Sequence, residues 1–463
     1  MDNQGIPNLT ALERIGPKGY LRYVFPFQLD DNYDLEEVSR VLQTGYKALT
    51  RRIPVVGSEA VPDGNWHQAG VMKLQGSEDS EKEATRVVVK DLRASYPSTY
   101  AELKAKNFPV AAFDAETLCR RSVWPQAGER LPVSLVQANF IQGGLLLTWC
   151  IFHMAGDGRS FYLWTKVWAE ECRRAQGIEI AEPFSFPGAV WKDRKQVMKP
   201  SGNNAGKIED HPEYTLLPFT PQGAPPKMLS QSHRGQVFYF SKESLAALKA
   251  EASPANATQP SDQSWISTND ALSALLWRTV MAVQSPLETL EGDPESTFNI
   301  AIDGRARTSP KVHPDTLGCF LEYVAIKLPI RKILGELNIA DLAILIRKAI
   351  IRADENFTDD VVSLVDKLED VDRLVPTAFL DVPGFNCIQT SWIGFELYGL
   401  DWGSLLGKGI EAVRSPHVGV LNGTQVVLPV LPDGGMEVVM GVEGSCLETL
   451  LKDPLLTRFG VAR

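Results

Sequence analysis

The sequence predicts a mixed α/β protein built from two domains, each a sheet covered by helices. Three observations predict it. Stretches with the apolar spacing of strands alternate with stretches of helical period in both halves of the chain. A proline-rich stretch from about 183 to 232 separates those halves. The 463 residues suffice for two or three domains with a large buried core.

Taken in order, residues 31–52 read as a helix. Asp31 or Asp34 can cap it, Leu35, Val38, Leu42, Tyr46 and Leu49 form one apolar stripe, and Pro54 ends it. "RVVVKDL" (86–92) reads as a strand. "SLVQANFIQGGLLLTWCIF" (134–152) reads as two strands turning at Gly143-Gly144. "RSFYLWTKVWAEECRRA" (159–175) is a helix with Phe161, Trp164, Val167, Trp168 and Cys172 on one side and basic residues in its last turn. The proline-rich stretch reads as a crossover. The expected division is an N-terminal domain over 1–190, a linker over 191–232 and a C-terminal domain over 233–463. In that second half, 267–284 and 339–354 read as helices, and 297–305, 384–392, 424–431 and 435–443 as strands.

Composition narrows the function. Hydrophobic residues are 44% and charged residues 22%, as in an ordinary globular protein. A net charge of -10 argues against a broad basic face for nucleic acid. A small anion needs only a local cluster of Lys or Arg. The first twenty residues lack a basic start followed by an apolar run, so no signal peptide is expected. The apolar segment Leu135 to Ala155 is broken by Gln137, Asn139, Gln142 and a glycine pair, which suits a buried strand better than a membrane span. Six cysteines lie far apart, without the paired spacing of a disulfide or zinc framework. They read as reduced thiols, and the expected location is cytoplasmic. The N-x-S/T matches at Asn8, Asn256, Asn356 and Asn422 are read as chance.

One stretch carries chemistry: "TWCIFHMAGDGRSF". His153 lies where a buried strand ends and a helix is about to begin, a common place for catalytic groups. Gly156 and Gly158 permit tight backbone there. A neutral imidazole with a pKa near 6.5 can take a proton from an alcohol or amine. Asp157 can support it, or turn away and hold the loop. A histidine in such a place is more often a structural hydrogen-bonder. His and Asp four apart on a helix also suit a metal, but no second His or Cys is near, and no metal site is expected. No G-x-S-x-G occurs, which disfavours a hydrolase triad. "GSLLGKG" (403–409) is one residue short of a phosphate loop, and Gly409 stands where Ser or Thr is needed.

"FHMAGDG" matches the H-x-x-x-D-G signature, and the chain resembles the BAHD superfamily of CoA-dependent acyltransferases. Within it the resemblance is to the fungal branch that includes trichothecene O-acetyltransferases. Further blocks carry it in order: "RRIPVVGSEAV" (51–61), the strand-motif-helix block around His153, "STNDALSALLWR" (267–278), "IDGRARTSPKVHPDTLGCFLEYVA" (302–325), "TSWIGFELYGLDWGSLLGKG" (390–409) and "LPVLPDGGMEVVMGVEGSCLETLLKD". There are departures. Ser58 stands where the family has Arg. Asp401-Trp402-Gly403-Ser404-Leu405 stands where plants have D-F-G-W-G. Cys319-Phe320-Leu321-Glu322 replaces Y-F-G-N. Phe152 replaces the first His of peptide-synthetase condensation domains.

The resemblance implies a two-domain chloramphenicol-acetyltransferase-like fold with the site in a channel between domains. It implies an acyl-CoA co-substrate, acetyl-CoA first, and a hydroxyl acceptor among fungal secondary metabolites, with no permanent cofactor. His153 would be the general base. Thr390 is an oxyanion donor or a plain strand residue, and Trp392 shapes the acyl pocket. Asp157 would pair with Arg305 across the core, with Gly158, Asp401 and Gly403 as structural support. Ser267 and Thr268, near a helix start, are candidates for CoA phosphates. A monomer without nucleic-acid or membrane partners is expected. The rival readings are a non-acylating condensation or cyclisation on the same scaffold, and a non-catalytic metabolite-binding protein.

Overall fold

Two sheets organise the chain. The computed structural model describes residues 9–30, 32–76, 84–186, 197–380, 384–407, 409–416 and 421–463. Asp31, Lys408 and residues 191–196 of the expected linker lie outside them.

The first sheet holds β1 (Tyr20–Gln28), β2 (Val87–Asp91), β3 (Ser134–Ile141) and β4 (Gly144–Phe152), in the order β1-β4-β3-β2. β4 runs antiparallel to both β1 and β3, and β2 is parallel to β3. Every residue of β3 and β4 is buried, which is why both read as near-continuous apolar runs. The turn falls one residue earlier than the Gly143-Gly144 reading. Gly143 takes a left-handed φ of 77°, while Gly144 is pressed on the Tyr100 ring, where a Cβ would overlap it. β1 escaped the sequence reading because "YLRYVFPFQ" shows no clean alternation and contains Pro26.

Helix α1 (Leu35–Arg52) starts later than the predicted window, because Asp34 caps it by accepting from the amides of Glu36 and Glu37. It packs on α2 (Gly158–Ala175), the helix after His153. Trp168 Nε1 donates to the Leu42 carbonyl at 3.2 Å. Gly45 permits the close approach, since a Cβ there would lie 2.8 Å from Cys172 Sγ. The predicted stripe of α2 is buried in full. Each such Phe or Val side chain contributes about 1.5–3 kcal/mol.

The second sheet is larger. In chain order its half contains β5 (His233–Phe240), α3 (Thr268–Gln284), β6 (Glu295–Asp303), β7 (Leu321–Pro329), α4 (Ile339–Arg352), α5 (Glu355–Lys367), β8 (Cys387–Ser391), β9 (Thr424–Val427), β10 (Met436–Glu443) and β11 (Gly460–Ala462). The strand order is β7-β6-β8-β9-β10-β5-β11. β8 is parallel to both its neighbours, and the other pairs are antiparallel.

The proline-rich stretch is not featureless where it is described. Tyr214–Leu216 pairs antiparallel with Leu374–Pro376, and Pro226–Leu229 forms one helical turn. A second crossing was not foreseen. After β8 the chain leaves its sheet, and Trp392, Leu397, Trp402, Leu406 and Val413 join Tyr23, Trp149 and Trp168 in one core. Val24 and Arg414 exchange backbone hydrogen bonds of 2.8 and 3.1 Å. Arg414, 1% exposed, then pairs with Glu437 of β10 at 2.7 and 3.0 Å. This segment straps the second sheet to the first.

Candidate active site

His153 opens a single turn, His153–Ala155, between β4 and α2. Its backbone N–H donates to the Gly19 carbonyl at 2.9 Å, which pins the end of β4 to the entry of β1. Burial pushes the imidazole pKa below its ordinary 6.5, against hydrogen bonding to the local backbone and the charge of Asp157. Its Nδ1 lies 3.9 Å from the sulfur of Cys319. Burial, and then Asp157, push the Cys319 thiol well up, so it remains S–H at neutral pH. No spacing rule could have found Cys319, because 166 residues separate it from His153.

Asp157 turns away from His153. It caps α2 by accepting from Ser160 N at 3.0 Å and also accepts from Phe320 N at 2.9 Å. Arg305 meets it with both terminal nitrogens, at 2.7 and 3.1 Å. Arg305 is 1% exposed and donates further to the carbonyls of Thr316 and Gly318 and to Asp303, with its guanidinium over the Phe320 ring. Desolvation acts against both charges. The Arg305 guanidinium outweighs it and holds Asp157 below the usual carboxylate range, and the two carboxylates do the same in reverse for Arg305.

Gly158 supplies room. A Cβ there would lie 2.8 Å from Phe395 Cε2 and 3.6 Å from Trp392 Nε1. Trp392, 2% exposed, sits among Tyr23, Phe161 and Phe395 with ring centroids 4.5–5.8 Å away. The first turn of α2 therefore touches the end of β8. On β8 the Gln389 side chain accepts from Ser273 of α3, so Thr390 projects from the opposite face. Ile388 shares that face and packs with Phe320 and Tyr323, on the side that holds Asp157.

Other expected residues lie elsewhere. Asp401 pairs with Arg173 at 3.0 Å, and Gly403, at φ 85°, is packed on the Gln176 amide. Both sit past the C-terminal end of α2, roughly 27 Å of helix from His153. Ser267 is committed to its own helix: it caps α3 in a reciprocal box with Asp270, and Arg347 holds that carboxylate. Thr268, half-buried, is the first residue of that helix. Among the described residues no cluster of His, Cys, Asp and Glu is arranged to hold a metal, and no helix is long and apolar enough to cross a membrane.

A cavity of about 510 Å³ lies between the halves. Gly16, Trp124, Phe219, Leu321, Tyr323 and Leu380 are among its mostly apolar walls. His153 is not itself in the wall. Gly16 stands between: a Cβ on it would lie 3.2 Å from Met154 Cα and 3.4 Å from Cys319 Sγ. The Gly16 wall of the cavity thus backs onto the turn that carries His153 and onto Cys319. Gly16 carries no signal in the sequence, and Cys319 is marked only by the departure from Y-F-G-N in which it stands.

Known proteins share this architecture. Residues 100–450 match the model of the Transferase family, and residues 20–163 match the trichothecene 3-O-acetyltransferase-like N-terminal domain. The chain is 28% identical to the enoyl-CoA isomerase/hydratase claC of Penicillium crustosum over 97% of its own length, but spans only 50% of that protein. It is 27% identical to the eremophilane O-acetyltransferase prx11 of Penicillium rubens over 98% of both chains. Fusarium graminearum TRI101, solved with coenzyme A and deoxynivalenol, superposes with a TM-score of 0.82 at 23% identity over 99% of both chains. Vinorine synthase superposes at 0.64 with 14% identity, over 98% of this chain and 94% of that one. These likenesses bear out the chloramphenicol-acetyltransferase-like CoA-dependent acyltransferase fold. With most of its length matched, the chain belongs to the Transferase family, and it carries a trichothecene 3-O-acetyltransferase-like N-terminal domain.

Proposed function

We propose that the chain is an acyl-CoA-dependent O-acyltransferase, acetyl-CoA first, acting on a hydroxyl of a small apolar secondary metabolite. The observation that carries this reading is the state of His153. It stands at the end of β4 with its pKa lowered by burial, and the carboxylate four residues on is engaged by Arg305 instead. An imidazole so placed is a base waiting for a proton. The reading extends to two domains, 1–190 and 233–463, joined through 191–232, with the site between them. It also takes the enzyme as a cytoplasmic monomer; the compartment is supported by the absence of a disulfide among the described residues.

The chemistry needs four moves. His153 takes the acceptor's hydroxyl proton as the oxygen attacks the thioester carbonyl. Thr390 donates to the oxyanion that forms. The tetrahedral intermediate collapses, the C–S bond breaks, and the imidazolium returns the proton to the CoA sulfur. The products are an ester and free CoA. Both substrates meet at one histidine, so proximity supplies much of the rate and no acyl-enzyme is required. Trp392 backs the acyl side, and Thr268 is offered to CoA phosphate at the start of α3.

The test is CoA release from acetyl-CoA with wild type, His153→Ala and Thr390→Val, against a panel of alcohols and amines. Release that requires an acceptor, vanishes in His153→Ala and drops in Thr390→Val supports the reading. No release with any acceptor or acyl-CoA, from folded protein, overturns it.

A further inference from the structure

The apolar cavity has a neighbour. A second cavity, also about 510 Å³, is lined by Asp63, Trp66, His67 and Gln68. Lys18, Trp124 and Asp372 line both. The Lys18 ammonium binds the Gly70 carbonyl and the Asp372 carboxylate, so its side chain lies across the wall between the two spaces.

The seam under this bridge is fixed. Gly70 has a left-handed φ of 78°, and a Cβ there would lie 2.8 Å from Asp372 Cγ. Ala69 N donates to the Glu369 carbonyl at 2.8 Å and its own carbonyl accepts from Val371 N at 3.1 Å, and Gln68 Nε2 donates to the carbonyls of Val365 and Leu368 at 2.7 and 2.8 Å. The Lys18 stem is the movable part. Its side chain is 21% exposed and that of Asp372 31%, and a part-exposed ion pair is weakly held.

We infer that the two cavities form one bipartite acceptor site, partitioned by the Lys18–Asp372 bridge, which selects acceptors by size. This rests on the acyl-transfer reading for the site's purpose. The inner chamber takes an apolar ring skeleton. The outer chamber, with Trp66 and Trp124 as faces and Asp63 as a polar group, takes a hydrogen-bonding arm. Reaching it requires the arm to part the bridge, so the wild type disfavours a long acceptor even when its arm can hydrogen-bond. Lys18 and Asp372 are thus specificity-determining residues rather than parts of the reacting centre.

Two probe alcohols test this: 4-cyclohexylcyclohexanol, and the same alcohol with a triethylene glycol chain on its far ring. Their Kd values are measured by titration calorimetry with wild type, Lys18→Ala and Asp372→Asn. The compact alcohol is expected to bind all three within twofold. The lengthened alcohol is expected to bind Lys18→Ala about fivefold tighter than wild type, with Asp372→Asn shifted the same way. Equal affinity of the lengthened alcohol for wild type and variants overturns the partition, and so does a parallel loss for both probes or no binding of either. Should Lys18→Ala fail to fold, Asp372→Asn carries the comparison. CoA release is followed alongside. A Kd shift without thiol release from either alcohol leaves the partition standing and removes the acyl-transfer reading.

Discussion

Asp157 and Arg305, 148 residues apart, close a two-pronged ion pair of 2.7 and 3.1 Å in the buried seam behind His153. The pair fixes the turn that carries the histidine rather than the histidine itself. Asp157→Ala leaves Arg305, among the described residues, with only the part-exposed Asp303 as a carboxylate partner. The expected cost is about 3–5 kcal/mol. Denaturant unfolding checks it, and equal midpoints for variant and wild type would sink the assignment. The pH sign follows from the depressed pKa. The contribution of Asp157 is fully present above the ordinary aspartate range and is lost as pH falls through its lower folded value. Asp157→Asn should flatten that acid limb.

His153→Ala should fold as wild type does and lose about 10²- to 10⁴-fold in turnover. Because the folded imidazole is held below 6.5, the base is already neutral at pH 7. The acid limb of the kcat/KM profile should therefore fall below pH 6.5. A limb centred above 7 would assign the rate to another group. The same depression means that His153 stabilises the fold least at acid pH, once pH drops through its folded value.

Gly158→Ala separates helix propensity from space. Alanine at an exposed helix interior would gain about 1 kcal/mol over glycine. Here the added Cβ would sit 2.8 Å from Phe395, whose ring is stacked on Tyr162 with centroids 5.7 Å apart. Overpacking of that kind costs about 1–3 kcal/mol, so the net change should be a loss. Phe395→Leu in the same chain should restore part of it. A double-mutant cycle with no coupling between the two positions contradicts the contact.

The legible part of the site was the part that is local in sequence. Strand, histidine, glycines and following helix lie in one run from Gly144 to Ala175, so period and turn chemistry suffice to place them. The Asp157–Arg305 pair came only with the resemblance, because nothing in spacing joins two charges so far apart. Gly16 and the Lys18–Asp372 bridge were not legible at all, and Cys319 stood out only as part of a departure from Y-F-G-N: each meets its partner only when the two sheets pack. The same holds for the fold. Helices with a clean stripe were read well, whereas β1 and β7, buried without alternation, and the strap over 392–414, which obeys tertiary contacts alone, were not.

The Asp401–Gly403 loop should behave as structure and not as catalyst. Gly403→Ala forces a Cβ onto the Gln176 amide at a backbone angle that favours glycine. Melting temperature should fall, while the KM and kcat of the surviving folded enzyme stay unchanged. Asp401→Asn removes an exposed partner of Arg173 and should change stability by no more than about 1 kcal/mol. A selective fall in kcat for either variant would place the loop in the reaction after all.

Glu322 gives the fold a stability limb near neutral pH. It stands in β7 where the family pattern has Asn, is 0% exposed, and accepts from Thr358 Oγ1 at 2.8 Å. Its other oxygen, Oε1, has no hydrogen-bond partner. Burial pushes the carboxyl up to about 7, with Glu213 adding to the rise and Thr358, Arg307 and His211 opposing it. Below that value it is a neutral acid, the nearest a glutamate comes to the amide it replaces. The sign is opposite to that of Asp157. Stability is greatest below the unfolded value near 4.5, falls as pH rises through about 7, and is flat above it. The difference is about 3 kcal/mol by linkage. Glu322→Gln keeps the shape and removes the proton equilibrium. It should match wild type at pH 4.5 and exceed it at pH 8.5. Urea unfolding at the two pH values decides it: equal pH slopes in both proteins would mean that Glu322 is ionised in the fold and held by its neighbours instead.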